Sequence, residues 1–167
     1  KEQNGSAKAF ELSKYFVGTD DVVLIYGDNI FLTDNFDFLK QGLENLKNGY
    51  SSLFVTEVLN PSKYGVVEMT DGFVTNIYEK PNNPISNYIS TGLYFYDCGI
   101  YDKIRLIDKS IRGEYELTDV NKLYIKESKL KAVPLKDVSW YDAGTFDSLI
   151  EAALEVKDIM NRKEWYE

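Results

Sequence analysis

Two aspartates stand where carboxylates can do chemistry. Asp28 in YGDN and Asp142 in WYDAG each close an apolar or aromatic segment with glycine nearby. Carboxylates converging from two strand ends can hold one Mg2+ while leaving positions for phosphate oxygens and water. The same residues suit a plain turn, since Gly-Asp-Asn is ordinary turn chemistry. Asn29, next to Asp28, can bond a polar ligand. Glu79 and Lys80 leave a strand for a loop containing Pro81 and Pro84, a common position for binding residues, although an exposed ion pair would look the same. Arg112, in RGE, carries the guanidinium fork that suits a phosphate, or else simply faces water. Tyr64-Gly65 and Thr91-Gly92 place glycine inside strands, which fits either a bulge or a ligand lying close to the backbone.

The composition narrows the chemistry further. The 167 residues contain no histidine, which removes Ser-His-Asp and Cys-His nucleophiles and His-ligated zinc. Carboxylates, Lys, Arg, hydroxyls and a hard cation remain. A net charge of −8 argues against nucleic-acid grooves and anionic membrane surfaces, which need clustered basic residues. The lone Cys98 forms no intramolecular disulfide, and no stretch has the pattern of a secretory leader or the length of a membrane span. These features lead to the expectation of a soluble cytoplasmic protein. With 44% hydrophobic residues and no linker or repeat, residues 1–167 form one expected domain.

The elements that must position these residues follow from periodicity. Val22 to Tyr26, five apolar residues rich in β-branched types, reads as a strand covered on both faces in a largely parallel sheet. Ahead of it, Ser6 caps a helix with Ala9, Leu12 and Phe16 on its inner face, stopped by Gly18. Behind it, Asp34 caps a helix with Phe36, Leu39, Leu43 and Leu46, closed by Asn48-Gly49. Tyr50 to Val58 is a strand. Asp71-Gly72 turns a hairpin between strands at 64–69 and 73–78. Tyr88 to Tyr96 is a strand, Ile100 to Ile107 a short helix, and Thr118 caps a helix carrying Val120, Leu123 and Tyr124. Strands at 130–135 and 138–141 precede a last helix, capped by Thr145, with Phe146, Leu149, Ala153, Val156 and Met160 in one stripe.

Taken in order, GSAKAF at 5–10, GDNIF at 27–31, KYGVVEM at 63–69, YEKP at 78–81, SNYISTGLYFYD at 86–97, RGEYELTDVN at 112–121 and WYDAGTFDSLIEA at 140–152 resemble the sugar-1-phosphate nucleotidyltransferases, and within them the thymidylyltransferases. The resemblance covers nearly the whole chain. It implies a Rossmann-like mixed, mostly parallel sheet flanked by helices. It also implies a Mg2+-dependent reaction in which a sugar-1-phosphate oxygen attacks the α-phosphate of dTTP and pyrophosphate leaves. Asp28 and Asp142 match the family's magnesium ligands. Asn29, Tyr64, Gly65, Glu79 and Lys80 match its sugar-phosphate contacts, Ser90 stands at a further substrate position where valine is common, and Arg112 matches a phosphate contact. Gly5 and Gln3 match the residues against the thymine base. Ala143 and the LTDNF that follows GDNIF depart from the family pattern.

The family's N-terminal GxGTRLxP loop has no counterpart in these residues, so the chain is expected to be a partial domain beginning just before the family's fourth strand. On that reading it does not turn over by itself. The apolar strand at 22–26, with no charge, proline or bulge to guard it, requires a complementing N-terminal fragment or another copy of the chain beside it. The competing reading is a non-catalytic sugar-phosphate or nucleotide-sugar binding module.

Overall fold

A computed structural model describes residues 5–162. In chain order the described elements are α1 (Lys8–Val17), β1 (Val22–Ile25), β2 (Asn29–Leu32), α2 (Asp37–Lys47), β3 (Ser51–Glu57), β4 (Gly65–Thr70), β5 (Phe73–Glu79), β6 (Tyr88–Tyr96), α3 (Ile100–Ile104), α4 (Leu117–Lys126), β7 (Leu130–Pro134), β8 (Ser139–Asp142) and α5 (Phe146–Arg162). The aromatic and β-branched run YISTGLYFY makes β6 the long central strand, paired with β1 on one side and β3 on the other. Beyond β3 the order runs β7, β5, β4, and Val66 of β4 pairs back onto Ile89 of β6. Five strands thus close into a small barrel, with β1 attached outside the ring and β2–β8 forming a separate two-stranded ribbon.

This architecture corrects the expected open, mostly parallel Rossmann-like sheet. Among the described residues only the β3–β7 pairing is parallel; the β1–β6, β3–β6, β4–β5, β4–β6 and β5–β7 pairings are antiparallel. An apolar run carries no information about the direction of its strand. Parallel neighbours need a long crossover, and the one between β3 and β7 contains α3 and α4. The β4–β5 hairpin needs only Asp71 and Gly72, both at positive φ as a tight primed turn requires.

Apolar side chains pack on both sides of the sheet. On one, Phe10 of α1, Ile100 and Ile104 of α3, and Val120 and Tyr124 of α4 cover Leu53, Val55, Tyr94 and Tyr96. On the other, Phe38 of α2 meets Phe54, Leu93, Phe95 and Val133. Each such fully buried side chain contributes about 1.5–3 kcal/mol.

Three local expectations change in the structure. Ala7, not Ser6, is the N-cap of α1, and Phe10 stacks edge-on to Tyr96 and Tyr101 while Leu12 and Phe16 face outward. Helix α2 starts at Asp37 and buries Phe38, leaving Phe36 and Leu43 half exposed. The strand at 22–26 is not covered on both faces: among the described residues it pairs only with β6, and Val23 and Ile25 are 52% and 54% exposed. Among the described residues, no helix is long and apolar enough to cross a membrane.

Candidate active site

Tyr26 after β1, strands β4, β5 and β6, the β2–β8 ribbon and the 110–118 turn surround a cavity of about 320 Å3. Asp28, Asn29, Tyr64, Gly65, Glu79, Lys80, Ser90, Arg112 and Asp142 all line it. The structure therefore gathers residues that are more than a hundred positions apart in sequence. Gly5 is not part of the lining. At φ +94° it packs against Tyr115, where a Cβ would lie 2.6 Å from the carbonyl oxygen. Gln3 lies outside the described residues.

The ribbon fixes the two aspartates. Asn29 faces Asp142 in register, and the Ala143 N–H donates to the Asp28 carbonyl at 2.7 Å. Both carboxylates then turn toward Gly144. The point its Cβ would occupy lies 3.0 Å from Asp142 Oδ1 and 3.5 Å from Asp28 Oδ2, so a side chain here would fill the space between them. Among the described residues no cluster of three or more His, Cys, Asp or Glu could cage a metal. A pair of hard oxygen donors does fit Mg2+, which binds through one or two carboxylates and otherwise keeps water or substrate phosphate.

Asn29 is the fastening point of this end. Its Oδ1 accepts from the Gly92 N–H at 3.0 Å and from Trp140 Nε1 at 2.8 Å, while Nδ2 donates to Asp28 Oδ1 at 2.9 Å. One amide thus ties the ribbon to β6. The approach is possible only because residue 92 is glycine: a Cβ there would sit 2.8 Å from the Asn29 amide and 2.7 Å from the Tyr26 ring. The glycine in the β6 strand marks a close approach by a side chain of the protein itself, and it also lies where the β3–β6 register shifts, between the Leu53–Tyr94 and Val55–Ser90 pairs.

Opposite the ribbon, β5 delivers Glu79 and Lys80. Glu79 pairs with Gly65, and the Lys80 N–H donates to the Tyr64 carbonyl at 3.1 Å. Lys80 has φ +42°, left-handed backbone that a lysine rarely adopts and that often accompanies function. It forms no salt bridge with a described residue. Arg112 does: Nη1 lies 3.3 Å from Glu79 and 3.5 Å from Glu116, and Nη2 lies 3.8 Å from Glu114. Thr118, expected to cap α4, instead donates its hydroxyl to Glu79 Oε2 at 2.6 Å, and Glu116 holds the N-cap position.

Burial dominates the electrostatics. It pushes the Glu116 carboxyl up from the usual carboxylate range, with Glu79 and Glu114 adding to the shift and Ser110 and Arg112 opposing it. Burial also raises the Tyr64 phenol, assisted by the charge of Asp142, and raises Tyr26 against hydrogen bonds to Ser6 and Tyr94. The lining residues that were not site candidates from sequence include Ser6, Tyr26, Tyr94, Glu114, Glu116, Thr118 and Trp140. Each lies within or beside a quoted stretch, but nothing in a linear reading shows that its side chain turns into the cavity. Trp140 also packs edge-on to Tyr64, ring centroids 5.5 Å apart.

Comparison with known proteins shows the family. Residues 1–159 match the family model described as nucleotidyl transferase. A glucose-1-phosphate thymidylyltransferase of Mycobacterium tuberculosis is 39% identical over 164 residues, covering 97% of this chain and 56% of that protein. Its counterpart in Mycolicibacterium smegmatis is 41% identical over the same coverage. Among solved structures, UDP-glucose pyrophosphorylase complexed with UDP-glucose superposes with a TM-score of 0.84 at 24% identity, covering 95% of this chain and 64% of that one, a likeness of fold alone. The chain spans about half the length of the curated relatives it matches.

Proposed function

Because the chain belongs to the nucleotidyl transferase family, we propose that its cavity is the sugar-phosphate and metal part of a site that transfers a thymidylyl group from dTTP to a sugar 1-phosphate, glucose 1-phosphate by analogy with the relatives named above. The observation that carries this reading is the convergence of Asp28 and Asp142 on Gly144, in the cavity that Lys80 and Glu79 also line. A sugar-1-phosphate oxygen attacks the α-phosphorus of dTTP, the bond to the bridging β-phosphate oxygen breaks, and pyrophosphate leaves. Such a transfer needs positioning and charge neutralisation more than an imidazole, which fits a chain without histidine.

Asp28 and Asp142 are the residues that would hold Mg2+, which when bound supplies positive charge to the phosphate oxygens of the reactants. Lys80, unpaired with the described residues, neutralises the sugar phosphate. Glu79 accepts from sugar hydroxyls through the lone pairs that Thr118 and Arg112 leave free. Tyr64 and Gly65 shape the wall beside the sugar, with Ser90 farther along β6. The half-exposed β1 edge pairs with a further strand, from a complementing segment or a second copy, and the protein works in the cytoplasm.

Thermal unfolding with Mg2+ and glucose 1-phosphate, dTTP or dTDP-glucose tests the reading, because binding to the native state alone raises the midpoint. A rise with the sugar phosphate and the nucleotide sugar is expected. Pyrophosphate release from dTTP and glucose 1-phosphate, by a full-length protein carrying this chain, tests the reaction. An unchanged midpoint at millimolar ligand, or no pyrophosphate, overturns the proposal.

A further inference from the structure

Arg112 sits among more negative charge than it can neutralise. The 110–114 turn is closed by the Gly113 N–H to the Ser110 carbonyl and the Ser110 N–H to the Glu114 carbonyl, both at 2.8 Å, and it brings Arg112, Glu114 and Glu116 together beside Glu79. One guanidinium serves three carboxylates, at 3.3 to 3.8 Å. These contacts are longer than a good charge-assisted hydrogen bond, so the arginine is shared among its partners and locked to none. Water reaches Glu79 and Glu114, whose side chains are 27% and 40% exposed, but the Glu116 side chain is only 9% exposed. A carboxylate at that depth depends on Arg112 and on the Ser110 hydroxyl, which donates to its Oε1 at 3.0 Å.

A phosphate entering the cavity competes for the same guanidinium. As Arg112 turns to it, Glu79 and Glu114 can be screened by water, while Glu116 would be left charged, buried and next to two like charges. A buried group in that position neutralises more cheaply than it stays ionised. We propose that Arg112 exchanges its carboxylates for the phosphate of the bound sugar phosphate and that Glu116 takes up a proton from solvent as it does. Glu116 is a positioning residue acting through Arg112, and the inference rests on the sugar-phosphate reading above. The titratable and charged groups facing Glu116 are Arg112 and Glu114 on its own turn, Glu79 on β5 and Tyr26 after β1. Apart from Arg112 none is a cation, so the loss of Arg112 has no replacement among them.

Calorimetric titration with glucose 1-phosphate and Mg2+ in buffers of different ionisation enthalpy counts the protons taken up. The condition is about pH 7, where the phosphate, with its second pKa about 6, is mostly dianionic. The wild type is expected to take up protons on binding and Glu116→Gln to take up fewer. Between about pH 6 and 8 the wild-type affinity should fall relative to the variant, by up to about tenfold per pH unit, the limit for one proton. Glutamine keeps the shape and an acceptor for Ser110, and matching circular dichroism of the two proteins confirms the fold. Equal proton counts in the two proteins overturn the inference while leaving the sugar-phosphate site standing. Absence of binding to the wild type overturns the underlying reading, and the inference with it.

Discussion

The two ends of the cavity hold carboxylates in opposite circumstances. At the ribbon end Asp28 and Asp142 point at a common space and form no salt bridge with a described residue; at the turn end Glu79, Glu114 and Glu116 surround Arg112. One end is fixed in position but short of positive charge. The other carries its own cation and a surplus of acid around it. The ribbon is held by backbone pairing and by Asn29, so its charge must come from outside, whereas the turn can only redistribute what it has. Lys80, strained and unpaired with the described residues, lies between the two cases as a cation with no prior partner.

The strongest way to break this contrast is to remove the charge at the ribbon end. Asp142→Asn keeps the shape and the Gly144 N–H contact but loses half of the anionic pair. In a full-length protein carrying this chain, pyrophosphate release at saturating Mg2+ should drop by about a hundredfold or more, since a bound divalent cation contributes several kcal/mol of charge stabilisation. Turnover equal to wild type would take Asp142 out of the metal site. Next in size is the fastening of the ribbon. Asn29→Ala leaves the Gly92 N–H and the Trp140 indole N–H without their acceptor, which should cost about 2 kcal/mol in urea unfolding. A loss below about 0.5 kcal/mol would mean that the ribbon is held without Asn29, because hydrogen bonds of this kind contribute about 1 kcal/mol each. Lys80→Ala should raise the Michaelis constant for the sugar phosphate about tenfold with little change in turnover, as expected for a charge-assisted contact that persists through the reaction. An unchanged constant would return Lys80 to the solvated surface.

These predictions draw on residues that differ in how far the sequence revealed them. Strand β6, the Asp71-Gly72 hairpin and Thr145 at the start of α5, where its Oγ1 accepts from the Ser148 N–H at 3.2 Å, were legible because propensity, turn chemistry and capping are local. The direction of the strands was not, since covered apolar runs look alike whichever way they lie; the barrel depends on pairings as distant as Phe73 with Lys131. The lining was read through motif resemblance, and nine of those residues do share one cavity. What stayed hidden was a division of labour. Asn29 and Arg112 line the cavity, and each also has partners within the protein: both side-chain polar atoms of Asn29 are bound, and Arg112 is shared among three carboxylates. Partners from β6 and β8 decide the first, and Glu79 of β5 with Glu114 and Glu116 the second, and no spacing rule in one dimension contains them. Glu116 and Thr118 were passed over for the converse reason, because RGEYELT reads as an exposed turn followed by a cap while its side chains turn inward.

The smallest expected effect asks whether the turn end really holds surplus acid. Its answer lies in the sign of a pH dependence. If burial and the neighbouring carboxylates outweigh Arg112, the folded-state pKa of Glu116 lies above its unfolded value, which is the direction found. A group raised in this way contributes stability that is fully present below the unfolded pKa and is lost as pH rises through the folded pKa. Glutamine does not titrate, so the stability of Glu116→Gln relative to wild type should increase from acid toward neutral pH and then level off. If Arg112 instead dominated, the folded pKa would be depressed, and the same difference would decrease over the acid range. Thermal melts of both proteins across that range, taken without ligand, read the sign directly. A falling difference would mean that the arginine fully satisfies its carboxylates, and the two ends of the cavity would then differ only in which of them supplies its own cation.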